Sequence, residues 1–180
     1  MSLLPGAVAP DFDDPIALLV ACHDKVRHFA RLTVKLRDHL DGRAPDGDAV
    51  AAAQRILRYF DQAAPLHHAD EEADLFPALR QLGDAQLDAQ MAALHAEHEQ
   101  LSALWHAVRP WLHAIATGVA CAAPGEVADF ASRYARHAQT EEQVVFPAAA
   151  RLAPSALASL GRNMAARRGA TTHEAGGSAT

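Results

Sequence analysis

Two stretches of this 180-residue chain carry the same phrase, His67-x3-Glu71-Glu72-x3-Phe76-Pro77 and His137-x3-Glu141-Glu142-x3-Phe146-Pro147, each seven residues after a phenylalanine, Phe60 or Phe130. Imidazole nitrogens and carboxylate oxygens are metal donors. A His and a Glu four positions apart on a helix are separated by about 400°, so both project from nearly the same face. Such a pair can hold one metal, and two pairs facing each other can bridge two. A single His-x3-Glu pair is ordinarily a surface contact, and a lone inward histidine is ordinarily a hydrogen-bonded core residue. Duplication changes that reading. Several histidines and two carboxylates at core positions carry a severe desolvation cost unless they are paired or coordinate an ion.

The elements that must position these residues are helices. Alanine and leucine dominate, Val, Ile and aromatics are scarce, and no long segment alternates with period two. Asp14-Pro15 is a helix start, and the apolar pattern then runs to about Leu40, stopping in Asp41-Gly42-Arg43-Ala44-Pro45-Asp46-Gly47. Further helical stretches are predicted over about 48–82, 85–116 and 126–152, with the prolines at 65, 77, 110 and 147 expected to kink or break them. The fold class is therefore all-α, an up-down-up-down four-helix bundle over 13–153. Residues 1–12 form an N-terminal arm, and 154–180 hold a short helix followed, from Arg167-Arg168-Gly169, by a segment of disordered composition.

A bundle buries one stripe of each helix, and the stripes select histidines. His67 shares a face with Phe60, Ala63, Glu71 and Leu75; His137 shares one with Phe130, Tyr134, Glu141 and Val145. On the first helix His23 lies in register with Ile16, Leu19, Val26 and Ala30, and on the third His98 lies with Met91, Leu94, Leu101 and Trp105. Each half of the chain thus supplies a lone histidine and then a His-x3-Glu pair. The candidate metal ligands are His23, His67, Glu71, His98, His137 and Glu141.

Composition excludes several classes. A net charge of -6 with basic residues scattered among acids offers no nucleic-acid footprint. No apolar run is long enough to span a bilayer, and the N-terminal segment lacks a signal peptide's basic start and apolar stretch, so a cytoplasmic location is expected. Cys22 and Cys121 fit no metal-ligand spacing and are expected to be free thiols.

With a histidine in the first helix, His-x3-Glu-Glu and Phe-Pro in the second, Glu97-His98 in the third and the repeated phrase in the fourth, the chain resembles the hemerythrin-like (HHE) family over about Asp13 to Leu152. The resemblance implies a four-helix bundle around a non-haem di-iron centre, with His23, His67, His98 and His137 as terminal ligands and Glu71 and Glu141 as bridges. Oxygen-carrying hemerythrins have another histidine four residues before the third-helix ligand and an H-x4-D on the fourth helix. Here the former position is Leu94, with His95 three residues before His98. The pattern is closer to the four-histidine, two-glutamate set of members linked to iron-sulfur-cluster repair, whose cysteine-containing N-terminal domain has no counterpart in this sequence.

The donor set agrees with iron, with manganese or zinc possible by affinity. Two ferrous ions bring four positive charges; the two glutamates cancel two, and an oxo or hydroxo bridge balances the ferric form. Six protein ligands do not saturate two octahedral ions, which leaves positions for O2, NO or peroxide. The expected function is small-molecule binding for sensing, redox response or iron handling. The alternatives are a di-iron enzyme acting on peroxide or NO or in cluster repair, and a passive metal-binding module. A five-residue step turns a helix through about 500°, so Glu72 and Glu142 should point away from the ligand histidines unless a bulge intervenes, and are expected to face solvent or to stand behind the ligands. His68, about 100° from His67, is expected to be exposed or to lie outside the ligand set. His95 is the candidate for a fifth histidine.

Overall fold

The computed structural model describes residues 11–170, and among them there is no strand. Five helical rods follow in order. The first, α1, is Pro15–Leu40. The second, α2, runs without interruption through Gly47–Arg58, Tyr59–Ala63, Ala64–Asp70, Glu71–Leu75 and Phe76–Arg80. The third, α3, is Ala85–Ala116; α4 joins Val127–Thr140, Glu141–Val145, Phe146–Ala148 and Ala149–Arg151; and α5 is Pro154–Arg167. Asp14, Asp46 and Asp84 cap α1, α2 and α3 by accepting hydrogen bonds from the amides of Ala17, Ala49 and Leu87, which satisfies otherwise unpaired N–H groups at each start. Gly83, at φ 68°, turns the chain from α2 into α3 in the left-handed region.

The prolines do not break the rods. Pro65, Pro77 and Pro147 each follow a π-helical turn, in Tyr59–Ala63, Glu71–Leu75 and Glu141–Val145. In each, the amide just before the proline (Ala64, Phe76 or Phe146) donates to the carbonyl five residues back (Tyr59, Glu71 or Glu141). A proline ring clashes with the carbonyl four residues behind it and offers that carbonyl no donor; the wider turn accommodates both problems without ending the helix. Pro110 lies inside α3 with no interruption at all.

Helix α1 packs on α2 and α4, and α3 packs on the same two rods from the other side. Side chains at the contact form two separate apolar clusters. One contains Val26, Phe60, Leu101, Trp105, Phe130 and Tyr134; the other contains Leu19, Leu75, Met91, Leu94, Val145 and Met164. On each of α1 to α4 the candidate ligands fall between a member of one cluster and a member of the other, as His23 does between Leu19 and Val26. The candidate ligands are thus a polar layer cut across an apolar interior.

The fifth rod lies along α1 and the middle of α2. Asp70, fully buried, receives Arg167 and Arg168 from its end, the latter at 2.5 Å, and Arg167 also reaches Asp74 at 2.6 Å. Arg167 and Arg168, expected at the start of a disordered segment, are therefore fixed by a buried carboxylate. The remainder of that segment beyond 170, and most of the predicted N-terminal arm, lie outside the described residues.

Candidate metal centre

The six predicted residues converge. His23, His67, His98 and His137 are at most 5 % exposed, and Glu71 and Glu141 are fully buried. Their donor atoms form two groups, His23, His67, Glu71, Glu141 and His98, His137, Glu71, Glu141, each with all its donors within 4.8 Å of one another. The two glutamates belong to both.

The oxygens of each glutamate are divided between the groups. Glu71 Oε1 is 4.0 Å from His23 Nε2 and 3.5 Å from His67 Nε2, while its Oε2 is 3.6 Å from His98 Nε2. Glu141 Oε2 is 3.0 Å from His23 Nε2, while its Oε1 is 3.7 Å from His98 Nε2 and 3.1 Å from His137 Nε2. His98 Nε2 and His137 Nε2 converge to 2.8 Å. This is the arrangement of two carboxylates each able to bridge a pair of cations.

The polar atoms have little else to bond. His23 Nε2, both ring nitrogens of His67 and all four oxygens of Glu71 and Glu141 are buried without a hydrogen-bond partner. Such orphans are rare in native interiors, because each carries its full desolvation cost. An ion accepting one lone pair from each imidazole and those of the carboxylates removes most of that cost, so the donor set fits a metal. Burial and the neighbouring Glu141 charge push the Glu71 carboxyl well above its usual range. Burial would raise Glu141 too, but the imidazoles of His137, His23 and His98 close around its oxygens outweigh it and keep that carboxyl well below the ordinary value. Burial, reinforced by His23, pushes His67 down to about 3, which leaves a neutral imidazole with one ring nitrogen free to donate a lone pair.

A second ring of residues fixes the histidines. His23 Nδ1 is 3.0 Å from Glu142 and His98 Nδ1 is 2.6 Å from Glu72. Glu142 and Glu72 thus stand behind the ligands: from the π turns that begin at Glu141 and Glu71, the bulges that lift the simple helical angle, they reach across to the lone histidine of another rod. Arg27 donates to both oxygens of Glu142, at 2.9 and 2.7 Å. His137 Nδ1 is 2.9 Å from Glu97, a contact the sequence reading did not anticipate; its one sequence signal is a carboxylate directly beside an inward histidine. Carboxylates on the outer nitrogen orient an imidazole and raise its basicity as a ligand. Phe146 stacks on His23 at 5.0 Å and Phe76 on His98 at 6.4 Å, so the Phe-Pro of each repeat walls one lone histidine.

The remaining histidines divide differently from expectation. His95 is 54 % exposed and approaches Glu72 at 3.2 Å from outside, which removes it from the interior of the site. His68 lies flat against His98, with ring centroids 3.9 Å apart and planes 10° apart, and burial holds its imidazole well below the ordinary pKa. One-residue helical arithmetic put it off the face; the neighbouring rod brings His98 to meet it.

A family profile described as the hemerythrin HHE cation binding domain matches residues 14–149. An uncharacterized protein of Haemophilus influenzae is 31% identical over 169 residues, spanning 93% of this chain and 98% of that protein. Among the described residues no helix is long and apolar enough to cross a membrane. On the match across nearly all of its helical rods, and on a buried histidine-glutamate cluster suited to a cation, the chain belongs to the hemerythrin HHE cation-binding domain family.

Proposed function

We propose that α1 to α4 act as an up-down-up-down four-helix bundle holding two non-haem iron ions, and that the centre binds O2 or a related small molecule, NO or peroxide, for sensing, redox response or iron handling in the cytoplasm. The observation that carries this reading is the division of oxygens: each buried glutamate turns one oxygen to the His23–His67 pair and the other to the His98–His137 pair. His23 and His67 would hold one ion and His98 and His137 the other, with Glu71 and Glu141 between them. Mixed imidazole and carboxylate donors suit iron, which supplies one-electron chemistry and open positions for a diatomic ligand.

The chain's own part is to orient the donors and to keep water out. Glu142, Glu72 and Glu97 fix three of the imidazoles from behind. Phe60, Phe130 and Tyr134 close the layer on one side, and Leu75, Met91 and Val145 close it on the other. Burial raises the Tyr134 phenol, so it faces the site as a neutral group. Anaerobic reduction of the iron-loaded protein followed by admission of air tests the proposal. A charge-transfer band that appears with O2 and disappears on removing it supports small-molecule binding; the absence of any spectral response refutes it.

A further inference from the structure

Counted from the ligand histidines, three side chains outside the ligand set have alanine at the matching place in the other half of the chain. Tyr134 is three residues before His137, and three before His67 is Ala64; Trp105 is seven after His98, and seven after His23 is Ala30. Asp61 is six before His67, and six before His137 is Ala131. In the fold these three are joined. Tyr134 follows His68, itself flat on His98, at a ring-centroid distance of 6.3 Å with planes 16° apart, and Tyr134 and Trp105 both pack on Phe60 at 5.1 Å. Phe130 touches the same two rings, at 5.1 and 5.9 Å. A continuous run of rings thus leads from a ligand histidine to Trp105, whose indole donates to Asp61 at 3.1 Å.

Burial alone does not bring an indole such a partner. Trp111, further along α3 and 5 % exposed, has an Nε1 with none among the described residues, whereas Trp105, 7 % exposed, has a carboxylate that Arg109 also holds, at 2.8 Å. Asp61 is delivered by the π turn Tyr59–Ala63, and the matching stretch of α4 is plain α-helix. Indole is among the side chains most easily oxidised by one electron, and its radical cation is acidic, so a base within hydrogen-bond reach assists the loss. Asp61 is that base, and at 28 % exposure it stands at the edge of the solvent.

Resting on the di-iron reading above, we propose that Trp105 is a one-electron relay between the centre and the surface, with Asp61 taking the indole proton, so that hydrogen peroxide is reduced by a small external donor such as ascorbate. Each passage breaks the indole N–H: the electron moves inward along the rings and the proton forms an O–H bond on Asp61. The donor's electron and that proton then restore the indole. Over two passages one hydrogen peroxide and two ascorbate anions give two waters and two ascorbyl radicals.

The test is freeze-quench EPR of the iron-loaded protein mixed with hydrogen peroxide, using ring-deuterated tryptophan to identify the radical and measuring iron in each sample. Wild type should give a tryptophanyl radical that ascorbate quenches. Trp105→Phe, which keeps a buried ring, should lose it, and Trp111→Phe should keep it. Asp61→Asn, which keeps a hydrogen-bond acceptor but no base, should lower its yield. Peptide mapping of wild type after peroxide without ascorbate serves if Trp105→Phe does not fold, with oxidised indole expected at Trp105 rather than Trp111. Two irons per chain with no tryptophanyl radical, a radical that survives in Trp105→Phe, an unchanged yield in Asp61→Asn, or oxidation confined to Trp111 overturns this inference alone. A wild-type protein that cannot hold two irons overturns the di-iron reading, and this inference with it.

Discussion

The His23–His67 half and the His98–His137 half of the centre share their ligand types and differ in what stands behind them. Glu97 precedes His98 and holds His137 by its outer nitrogen; Cys22 precedes His23 in the equivalent place, and His67 Nδ1 is buried without a partner. His68 faces His98 where Ala138 stands on the other side. The cover differs too. Helix α5 lies over the contact between α1 and α2, beside His23 and His67. The matching surface between α3 and α4 carries a cavity of about 430 Å³ lined by Glu97, Gln100, Leu101, Arg133, Arg136 and Thr140. The donors are the same in both copies of the phrase, but the shell behind them is not: Glu72 and Glu97 stand behind His98 and His137, and Glu142 alone stands behind His23.

The shared glutamates are the point where the comparison breaks most completely. Glu141→Ala removes an oxygen from both halves, and metal analysis after anaerobic loading should find iron retention largely lost, with Glu71→Ala behaving alike. Glu142→Ala and Glu72→Ala should retain the pair with an affinity roughly ten- to a hundred-fold weaker, the usual effect of deleting a carboxylate behind a ligand histidine. A loss in the second pair as complete as in the first would move the bridges to the neighbouring glutamates.

The cover can be tested separately from the donors. Asp70→Asn should lower the stability of the metal-free protein by roughly 3 kcal/mol, the lower end for breaking a buried ion pair, because both arginines retain some access to water. The denaturant midpoint measures it. The surrounding shell predicts a sharper contrast between positions 97 and 22: Glu97→Gln should weaken iron binding about tenfold, whereas Cys22→Ala should leave it unchanged, by titration against a competing chelator.

Acidity supplies a smaller effect with a fixed sign. The Glu141 and Glu97 carboxylates beside His137 overcome the effect of burial and hold it above its ordinary value, and burial next to Glu141 raises Glu71. Each coordinates only in its deprotonated form, so raised values make protons stronger competitors: affinity should fall as pH is lowered, and metal uptake should release protons on the acid side. Potentiometric titration during loading checks the direction.

The six-residue set was legible because the repeat and the helical face agree, and the step from His67 to Glu71 remains α-helical up to the π turn. The family resemblance rested on those same positions. What was not legible depends on rods meeting. Glu72 and Glu142 seemed to point outward when each helix was taken alone, yet each serves a histidine on another rod. His68 was expected to be exposed or to lie outside the ligand set, and His95 was the candidate for a fifth histidine; which of them meets the interior depends on the neighbouring helix, which angular arithmetic omits. The Pro65, Pro77 and Pro147 signals correctly marked irregularity, but a π turn and a kink share the same sequence signature. Asp70 gave no warning, since its partners Arg167 and Arg168 lie 97 and 98 residues further along the chain.

The most direct measurement is the iron content of freshly purified, anaerobically loaded protein, taken alongside its visible spectrum. Two carboxylates that each face both histidine pairs predict about two irons per chain. Saturation at a single iron would contradict the bridged pair, and a content near zero would remove the metal centre altogether.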